Sequence, residues 1–550
     1  MEHVLKTGVT KSKVTPVDYL LRARFYKKGK IKMKKKFKSL GRIIFGRTMV
    51  VVLGLGLQIY FIVSALMFFS NNLVYFTIAS DVLSIIVLIY IINDKTNPYY
   101  KLAWVIPVML IPIFGTVMYI FVKLELGTHI MKKRTIELVK KTSEYIPQNE
   151  ADLKELSQSD AKESNLAVYM KKFAGYPIYK NTYAKYYSLG DHAFEAMKIE
   201  LLKAKEFIFL EFFIVERGEM WNSILDILEQ KVKEGVDVRF MYDGMCSLML
   251  LPYKYPKTLI SKGIKCKMFS PIKPVLSTVQ NNRDHRKILV IDGHTAFTGG
   301  VNLADEYINK CVKYGHWKDT AVMIKGEAVK SFTMMFLQNW NITERDEGDY
   351  ESYIRYDFPE ITEKGLNTEG FAMPYGDSPF DDENVGQTVY LDILNRAERY
   401  VHIMTPYLII DNEMMQALTY AAKRGVEVII IMPHIPDKVY AYLLARSYYA
   451  ELMEAGVKIY EYTPGFVHAK CFVSDGIRAT VGSINLDYRS LFLHFECGCY
   501  FYGNPAVEQV ENDIRETLRM CQEVTLEECK RYNPFKKAAG FILRLFAPLM

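Results

Sequence analysis

At 550 residues the chain is too long for one ordinary domain, and with half of its residues hydrophobic and 24% charged it suits a soluble body carrying an apolar appendage. The formal charge of +8 is modest for this size and gathers in "YKKGKIKMKKKFKSLGR" (26–42), just before the first apolar run, which argues against a nucleic-acid partner and for anionic lipid. Eight cysteines without a CxxC pair or zinc-like spacing argue for free thiols in a reducing compartment.

In chain order, the basic arm (1–42) leads into a region (43–125) with three apolar stretches, at 49–69, 72–92 and 103–122, each near the roughly 20 residues a bilayer crossing needs. They predict an integral, multi-pass membrane anchor. The arm and the Lys132-Lys133-Arg134 cluster both favour the cytoplasmic side, which requires an even number of crossings and places the rest of the chain on that face. One stretch is then re-entrant or lies along the surface. Asp81 within the second, and Pro107 and Pro112 within the third, mark where the pattern weakens. A polar helical linker (126–165) follows. At the far end, "NPFKKAAGFILRLFAPLM" (533–550) has the pattern of an amphipathic interfacial helix.

Between these ends the chain repeats itself. "LLKAKEFIFLEFFIV" (201–215) matches "LNRAERYVHIMTPYLI" (394–409), "KVKEGVDVRFMYDG" (231–244) matches "AAKRGVEVIIIMPH" (421–434), and "GIKCKMFSP" (263–271) matches "GVKIYEYTP" (456–464). Each unit is a helix stopped by glycine that feeds a β-branched, aromatic-rich strand. The fold class is therefore α/β: two tandem α/β/α sandwiches related by a pseudo-two-fold, each around a mostly parallel sheet, spanning 166–345 and 371–532. The turn-rich segment 346–370 joins them.

Each copy then reaches the same signature. "HRKILVIDGHTAFTGGVN" (285–302) and "HAKCFVSDGIRATVGSIN" (468–485) share His-x-Lys-x4-Asp-x6-Gly-[Gly/Ser]-x-Asn to the residue. Side chains two apart on a strand share a face, so His285 and Lys287 point one way, as do His468 and Lys470. The motif aspartates Asp292 and Asp475 have the opposite parity, which assigns them to the strand end or turn. The carboxylates that orient the imidazoles must come from elsewhere. Asp319 lies 34 residues after His285 and Glu496 lies 28 after His468, so each is expected to serve the histidine of its own copy.

Joined about the pseudo-two-fold, the copies supply two imidazoles, two ammonium groups and the donors Asn302, Ser483 and Asn485, a set suited to a phosphodiester. One imidazole attacks phosphorus while the other protonates the leaving alkoxide and later deprotonates the incoming hydroxyl. No metal or other cofactor is called for: there is no P-loop, and no carboxylate-rich cluster of the two-metal kind.

At these residues the chain resembles the phospholipase D superfamily, and within it the bacterial cardiolipin synthases. The likeness extends over "NPYYKLAWVIPVMLIPIFGTVMYIF" (97–121), "FTGGVNLADEY" (297–307), "YGHWKDT" (314–320), "GFVHAK" (465–470), "NLDYRSLFLHFE" (485–496) and the closing "LRLFAPLM". It implies a membrane phosphatidyltransferase that joins two phosphatidylglycerol molecules into cardiolipin and glycerol through a phosphohistidine, on a bacterial cell membrane. The implied site is His285, Lys287, Asn302, His468, Lys470, Ser483 and Asn485, with His285 as nucleophile and Asp319 and Glu496 as the acidic partners. A hydrolase releasing phosphatidic acid shares the same intermediate. A nuclease lacks its basic stripe here, and a lipid-binding scaffold would not need both motifs. Trp317, Tyr488 and Arg489 sit beside the motifs as headgroup contacts or core residues. His294 and His494 fall outside the repeat, where structural roles are expected.

Overall fold

The computed structural model describes residues 73–123, 126–272, 280–344, 348–362, 364–381 and 383–549, with a few positions between 56 and 67. The expected basic arm and most of the first apolar stretch lie outside them. The described residues from Met67 onward belong to one compact unit, residues 65–272 with 277–550.

The first copy contributes β1 (Thr182–Tyr187), β2 (Phe207–Phe212), β3 (Asp237–Asp243), β4 (Lys265–Phe269), β5 (Lys287–Ile291), β6 (Thr295–Gly299), β7 (His316–Lys318) and β8 (Ala321–Gly326). The second contributes β9 (Phe371–Asp377), β10 (Tyr400–Met404), β11 (Glu427–Pro433), β12 (Lys458–Tyr462), β13 (Gly465–Val467), β14 (Cys471–Ser474), β15 (Arg478–Gly482), β16 (Glu496–Tyr502) and β17 (Cys521–Glu523). Among the described residues the first sheet runs β1-β8-β6-β5-β2-β3-β4 and the second β9-β16-β15-β14-β10-β11-β12-β17. Apart from β17 the orders correspond strand for strand, so the duplication seen in the sequence is a duplication of topology.

Both sheets are mixed, which corrects the expectation of mostly parallel ones. Only β2-β3-β4 and β10-β11-β12 pair in parallel. The rest pair antiparallel, because the motif strands form hairpins, β5 with β6 and β14 with β15. Asp292-Gly293 and Asp475-Gly476 supply the left-handed backbone those turns need, with φ of 48°, 67°, 56° and 72°. The parallel strands follow glycine-stopped helices, as read from the sequence. Helix Glu219–Lys233 buries Met220, Trp221, Ile224 and Leu228, and the chain leaves it through Gly235 at φ 94°. Helix Asn412–Lys423 leaves through Gly425 at φ 96°.

The segment expected as a linker packs on the second copy. Glu163, on helix Ala161–Tyr169, is buried against Arg396 and Arg478 at 3.2 and 2.9 Å. The C-terminal helix Pro534–Arg544 lies on helix Val439–Glu454, with Arg544 Nε donating to Ser447 Oγ at 2.9 Å while Phe535, Phe541 and Ile542 stay exposed.

Among the described residues no helix is long and apolar enough to cross a membrane, so the multi-pass anchor has no counterpart there. The third stretch is broken into helices Pro98–Leu110 and Pro112–Lys123. Pro112 disfavours helical backbone at Ile111, which sits at φ −136°. A Cβ on Gly115 would lie 2.5 Å from the Pro107 carbonyl, so the second helix starts hard against the first. Thirteen helical residues span about 20 Å, short of the roughly 30 Å hydrocarbon core. The second stretch forms helix Leu73–Asn93, which buries Val87 and Ile91 beside Val108 and Tyr119 and exposes Ile78, Val82, Ile85, Ile86 and Ile89.

Candidate active site

The two histidines enter the site by one local device. Asp284 bridges Phe495 in parallel, and the His285 N–H donates to the Phe495 carbonyl at 2.9 Å. In the other copy β13 pairs in parallel with β7, Val467 opposite Lys318, and the His468 N–H donates to the Lys318 carbonyl at 2.7 Å. Phe495 precedes Glu496 and Lys318 precedes Asp319, so each backbone bridge delivers the acid of one copy to the histidine of the other.

The side chains close these crossed pairs. His285 Nδ1 lies 2.8 and 2.9 Å from the two oxygens of Glu496, and His468 Nδ1 lies 2.6 Å from Asp319 Oδ2. The expected pairing within each copy is therefore corrected. Its physical reason is sheet order: β6 separates β8 from β5, and β15 separates β16 from β14. An acid heading β8 or β16 would stand two strand spacings, roughly 9–10 Å, from the histidine of its own sheet. With Nδ1–H donating to a carboxylate, Nε2 of each ring is the nitrogen left to attack or exchange a proton.

All these groups are buried, and burial dominates their protonation. It pushes His285 down to about 3, Lys287 adding to the effect against the pull of Glu496. Burial, with Lys470, Lys287 and Lys438, holds His468 well below the imidazole range. It lowers Lys287 to about 8 and Lys470 to about 7, although Glu496 and Asp319 oppose it. Asp319 is pushed up to about 6 by burial, partly offset by Lys470. For Glu496 burial is outweighed by the imidazoles of His285 and His494 and by Lys287, so its carboxylate lies well below the usual range. The first pair rests as neutral imidazole and carboxylate. Both lysines fold back to their own histidines, Lys287 Nζ on the His285 carbonyl and Lys470 Nζ on the His468 carbonyl, the latter 2.8 Å from His468 Nδ1.

The remaining motif residues divide by task. Asn302 Oδ1 accepts from the Ile214 N–H and its Nδ2 donates to the Tyr307 hydroxyl, both at 2.9 Å. Asn485 is buried, and its Oδ1 has no hydrogen-bond partner among the described residues. Ser483, expected to donate to phosphate, instead directs its hydroxyl to Glu496 Oε2 and accepts from the Cys497 N–H at 3.0 Å. It sits at the end of β15, where Gly482 pairs with Gly498 beside the start of β16. At Gly300 the space is already taken, since a Cβ would fall 2.0 Å from Asp319 Oδ1. The Gly/Ser difference between the copies thus matches how each acid is seated.

Asp292 and Asp475 lie at the far ends of their strands from the histidines. Asp292 accepts the N–H groups of Lys205, Glu206 and Phe207 at 2.7, 2.8 and 2.8 Å. Asp475 accepts those of Glu398, Arg399 and Tyr400 at 2.9, 2.8 and 3.0 Å. Each carboxylate ties its hairpin turn to the chain entering the neighbouring strand. Asp292→Ala orphans three N–H groups and is expected to cost on the order of 3 kcal/mol of stability. Asp292→Asn keeps an acceptor oxygen for the Glu206 and Phe207 N–H groups and tolerates the left-handed backbone, losing only the bond from Lys205, so it should cost less stability and leave activity in place. Thermal unfolding beside initial rates checks this, and an inactive but normally stable D292N would return Asp292 to the chemistry.

Four aromatic rings not assigned from the motif wall the site. Phe213 lies 4.8 Å from the His285 ring and His494 5.5 Å from it, while Tyr307 and Trp317 each lie 5.4 Å from the His468 ring. The missed signal for His494 is its place two residues before Glu496, where strand parity sends both side chains to one face. Trp317 stands in the same relation to Asp319. Tyr488 is buried against Tyr99, Tyr100 and Phe492, where it seats the apolar helices, and Arg489 is on its short helix. His294 belongs to the Asp292 turn, its Nδ1 2.8 Å from Thr295 Oγ1. Among the described residues, His285, His494 and Glu496 form the group with metal-ligand spacing, their donor atoms within 4.8 Å. His285 Nδ1 and Glu496 are already hydrogen-bonded there, so an ion would have to displace that proton.

Comparisons with known proteins follow the same outline. The family model described as cardiolipin synthase, PLD-like domain, matches residues 197–340 and 390–518, and that described as phospholipase D-nuclease N-terminal matches 82–123. The chain is 30% identical to a cardiolipin synthase of Halalkalibacterium halodurans, over 86% of this chain and 94% of that one. It is 36% identical to a cardiolipin synthase of Geobacillus kaustophilus, over 66% and 71%, and 49% identical to an uncharacterized protein of Streptococcus mutans, over 84% and 99%. Among solved structures, phosphatidylserine synthase of Haemophilus influenzae superposes with a TM-score of 0.51 at 16% identity, over 71% of this chain and 97% of that one, a likeness of fold.

Proposed function

The chain belongs to the bacterial cardiolipin synthase family of the phospholipase D superfamily and is a phosphatidyltransferase of that family, and from this premise we propose that it joins two phosphatidylglycerol molecules into cardiolipin, releasing glycerol, by way of a phosphohistidine. The observation that carries this is the pair of crossed histidine–carboxylate couples, each closed between the two copies, with a lysine beside each.

In the proposed sequence the diester phosphate binds between Lys287 and Lys470. Its negative charge opposes the ammonium charges that depress His468, so substrate raises that imidazole toward the range where it can carry a proton. His285 Nε2 attacks phosphorus, and the bond to the glycerol headgroup oxygen breaks. His468 donates its proton to that oxygen, and glycerol leaves. The phosphorylated His285 ring is then cationic and is stabilised by Glu496. Neutral His468 next removes the proton from the primary hydroxyl of a second phosphatidylglycerol. That oxygen attacks phosphorus, the N–P bond breaks, and both histidines return to their starting states.

The lipid reaches this site from a membrane surface in our reading. Exposed apolar side chains of helix Leu73–Asn93 and of the C-terminal helix support it, together with the seating of Tyr99 and Tyr100 against Tyr488, three residues beyond Asn485. Purified protein incubated with phosphatidylglycerol vesicles should yield cardiolipin and free glycerol in equal amounts. Phosphatidic acid as the main product would mean that water takes the second step and that the protein is a hydrolase.

The lysines set an alkaline limit. Their acidity is raised by burial in the free enzyme, so binding of an anionic diester is lost as pH rises through about 7 and 8, where Lys470 and Lys287 give up their protons. Bound phosphate restores their charge, so kcat/KM should fall across this window while kcat holds to higher pH. Parallel decline of the two parameters would contradict the assignment.

A further inference from the structure

We infer that His494 and Trp317 are a matched pair of donors for the two non-bridging oxygens of the bound phosphodiester, one in each half of the site. The inference deepens the transferase reading and rests on it for the identity of the ligand.

Both side chains occupy the same place in their copies, two residues before the acid that holds the opposite histidine. Each ring packs beside that histidine, 5.5 Å from His285 and 5.4 Å from His468. Both are more than nine-tenths buried, and neither has a hydrogen-bond partner among the described residues for Trp317 Nε1 or for His494 Nδ1 and Nε2. The two donors lean toward their own acids without closing a hydrogen bond: His494 Nδ1 stops 3.8 Å from Glu496 Oε1, and Trp317 faces Asp319, drawing its carboxyl down against the effect of burial. A buried N–H without a partner is costly, and two at equivalent positions of one site point to a shared ligand.

The chemistry of the pair selects the ligand atom. An indole N–H donates and cannot accept, so whatever meets Trp317 must be an acceptor. The pseudo-two-fold that relates Trp317 to His494 requires an equivalent acceptor on the other side. A phosphodiester offers this, because its two non-bridging oxygens are themselves related by a local two-fold axis and carry the negative charge. A hydroxyl headgroup provides no such matched pair. Imidazole differs from indole in having a second nitrogen, so His494 can face the ligand through one nitrogen and Glu496 through the other.

The test measures inorganic phosphate as a competitive inhibitor of the full-length protein, together with KM and kcat for phosphatidylglycerol. His494→Phe and Trp317→Phe keep an aromatic ring but lose the donor, and each should weaken phosphate inhibition about tenfold. His494→Trp, which copies the other half, and His494→Gln should both recover most of the affinity. Unchanged inhibition in the two Phe variants would overturn the inference. So would a loss in H494F that neither Trp nor Gln restores, which marks a packing role. If the wild-type protein makes no cardiolipin while its phosphate affinity still depends on residue 494, the synthase reading fails and this one stands.

Discussion

His285→Ala and His468→Ala each reduce transfer between phosphatidylglycerol molecules by about 10⁴-fold or more, and an activated substrate separates their roles. With a nitrophenyl phosphodiester the leaving group departs as a stable anion and needs no proton. H468A should therefore still form the covalent adduct and release one burst of nitrophenolate, while H285A should release none. The adduct in H468A should be acid-labile and alkali-stable, as a phosphorylated imidazole is, and should map to the peptide containing residue 285. A burst from H285A and none from H468A would reverse the roles of the two histidines. Normal turnover in either single variant would sink the two-histidine mechanism.

Glu496→Gln and Asp319→Asn should each cost about 10²- to 10⁴-fold in kcat, since each amide loses the charge that holds the Nδ1–H tautomer and balances the imidazolium. Double-mutant cycles expose the crossing. His285→Ala combined with Glu496→Gln should be little worse than His285→Ala alone, because the carboxylate acts through that imidazole, and the same holds for His468→Ala with Asp319→Asn. His285→Ala with Asp319→Asn should show smaller coupling. Strong coupling between His285 and Asp319 with none to Glu496 would restore pairing within each copy, against the 2.8 Å contact. Residual rates must be read with the nitrophenyl substrate, where background turnover is measurable.

How the site could be read from sequence differs from residue to residue. Strand parity places Asp292 and Asp475 at the turns, and there each accepts three N–H groups at the far end of its hairpin. Parity is a property of a single strand, so four residues of spacing suffice to state it. Ser483 points elsewhere than its spacing suggests, because spacing gives its distance from Asn485 and nothing about the Glu496 oxygen across the β15–β16 ladder. His494 does not repeat as a histidine, yet Trp317 fills the equivalent place with different chemistry, and identity between the copies does not reveal such a pair. Helix–strand alternation dominates the visible repeat and favours a mostly parallel sheet, whereas the motif hairpins make both sheets mixed. The Asp-Gly pairs at 292–293 and 475–476 are the sequence signal for those hairpins.

Legible along the chain are the duplication of an α/β unit, the His, Lys and Asn residues that each copy carries at matched spacing, and the two carboxylates able to orient the imidazoles. Those features are local, written in strand period, glycine placement and repetition. Which acid meets which histidine is a property of the folded chain, because it depends on β6 and β15 lying between acid and histidine in each sheet and on the backbone bridges at Phe495 and Lys318 that join one copy to the other. Contacts between residues 149 and 211 positions apart arise from the packing of two sheets, for which no spacing in a single strand is a guide.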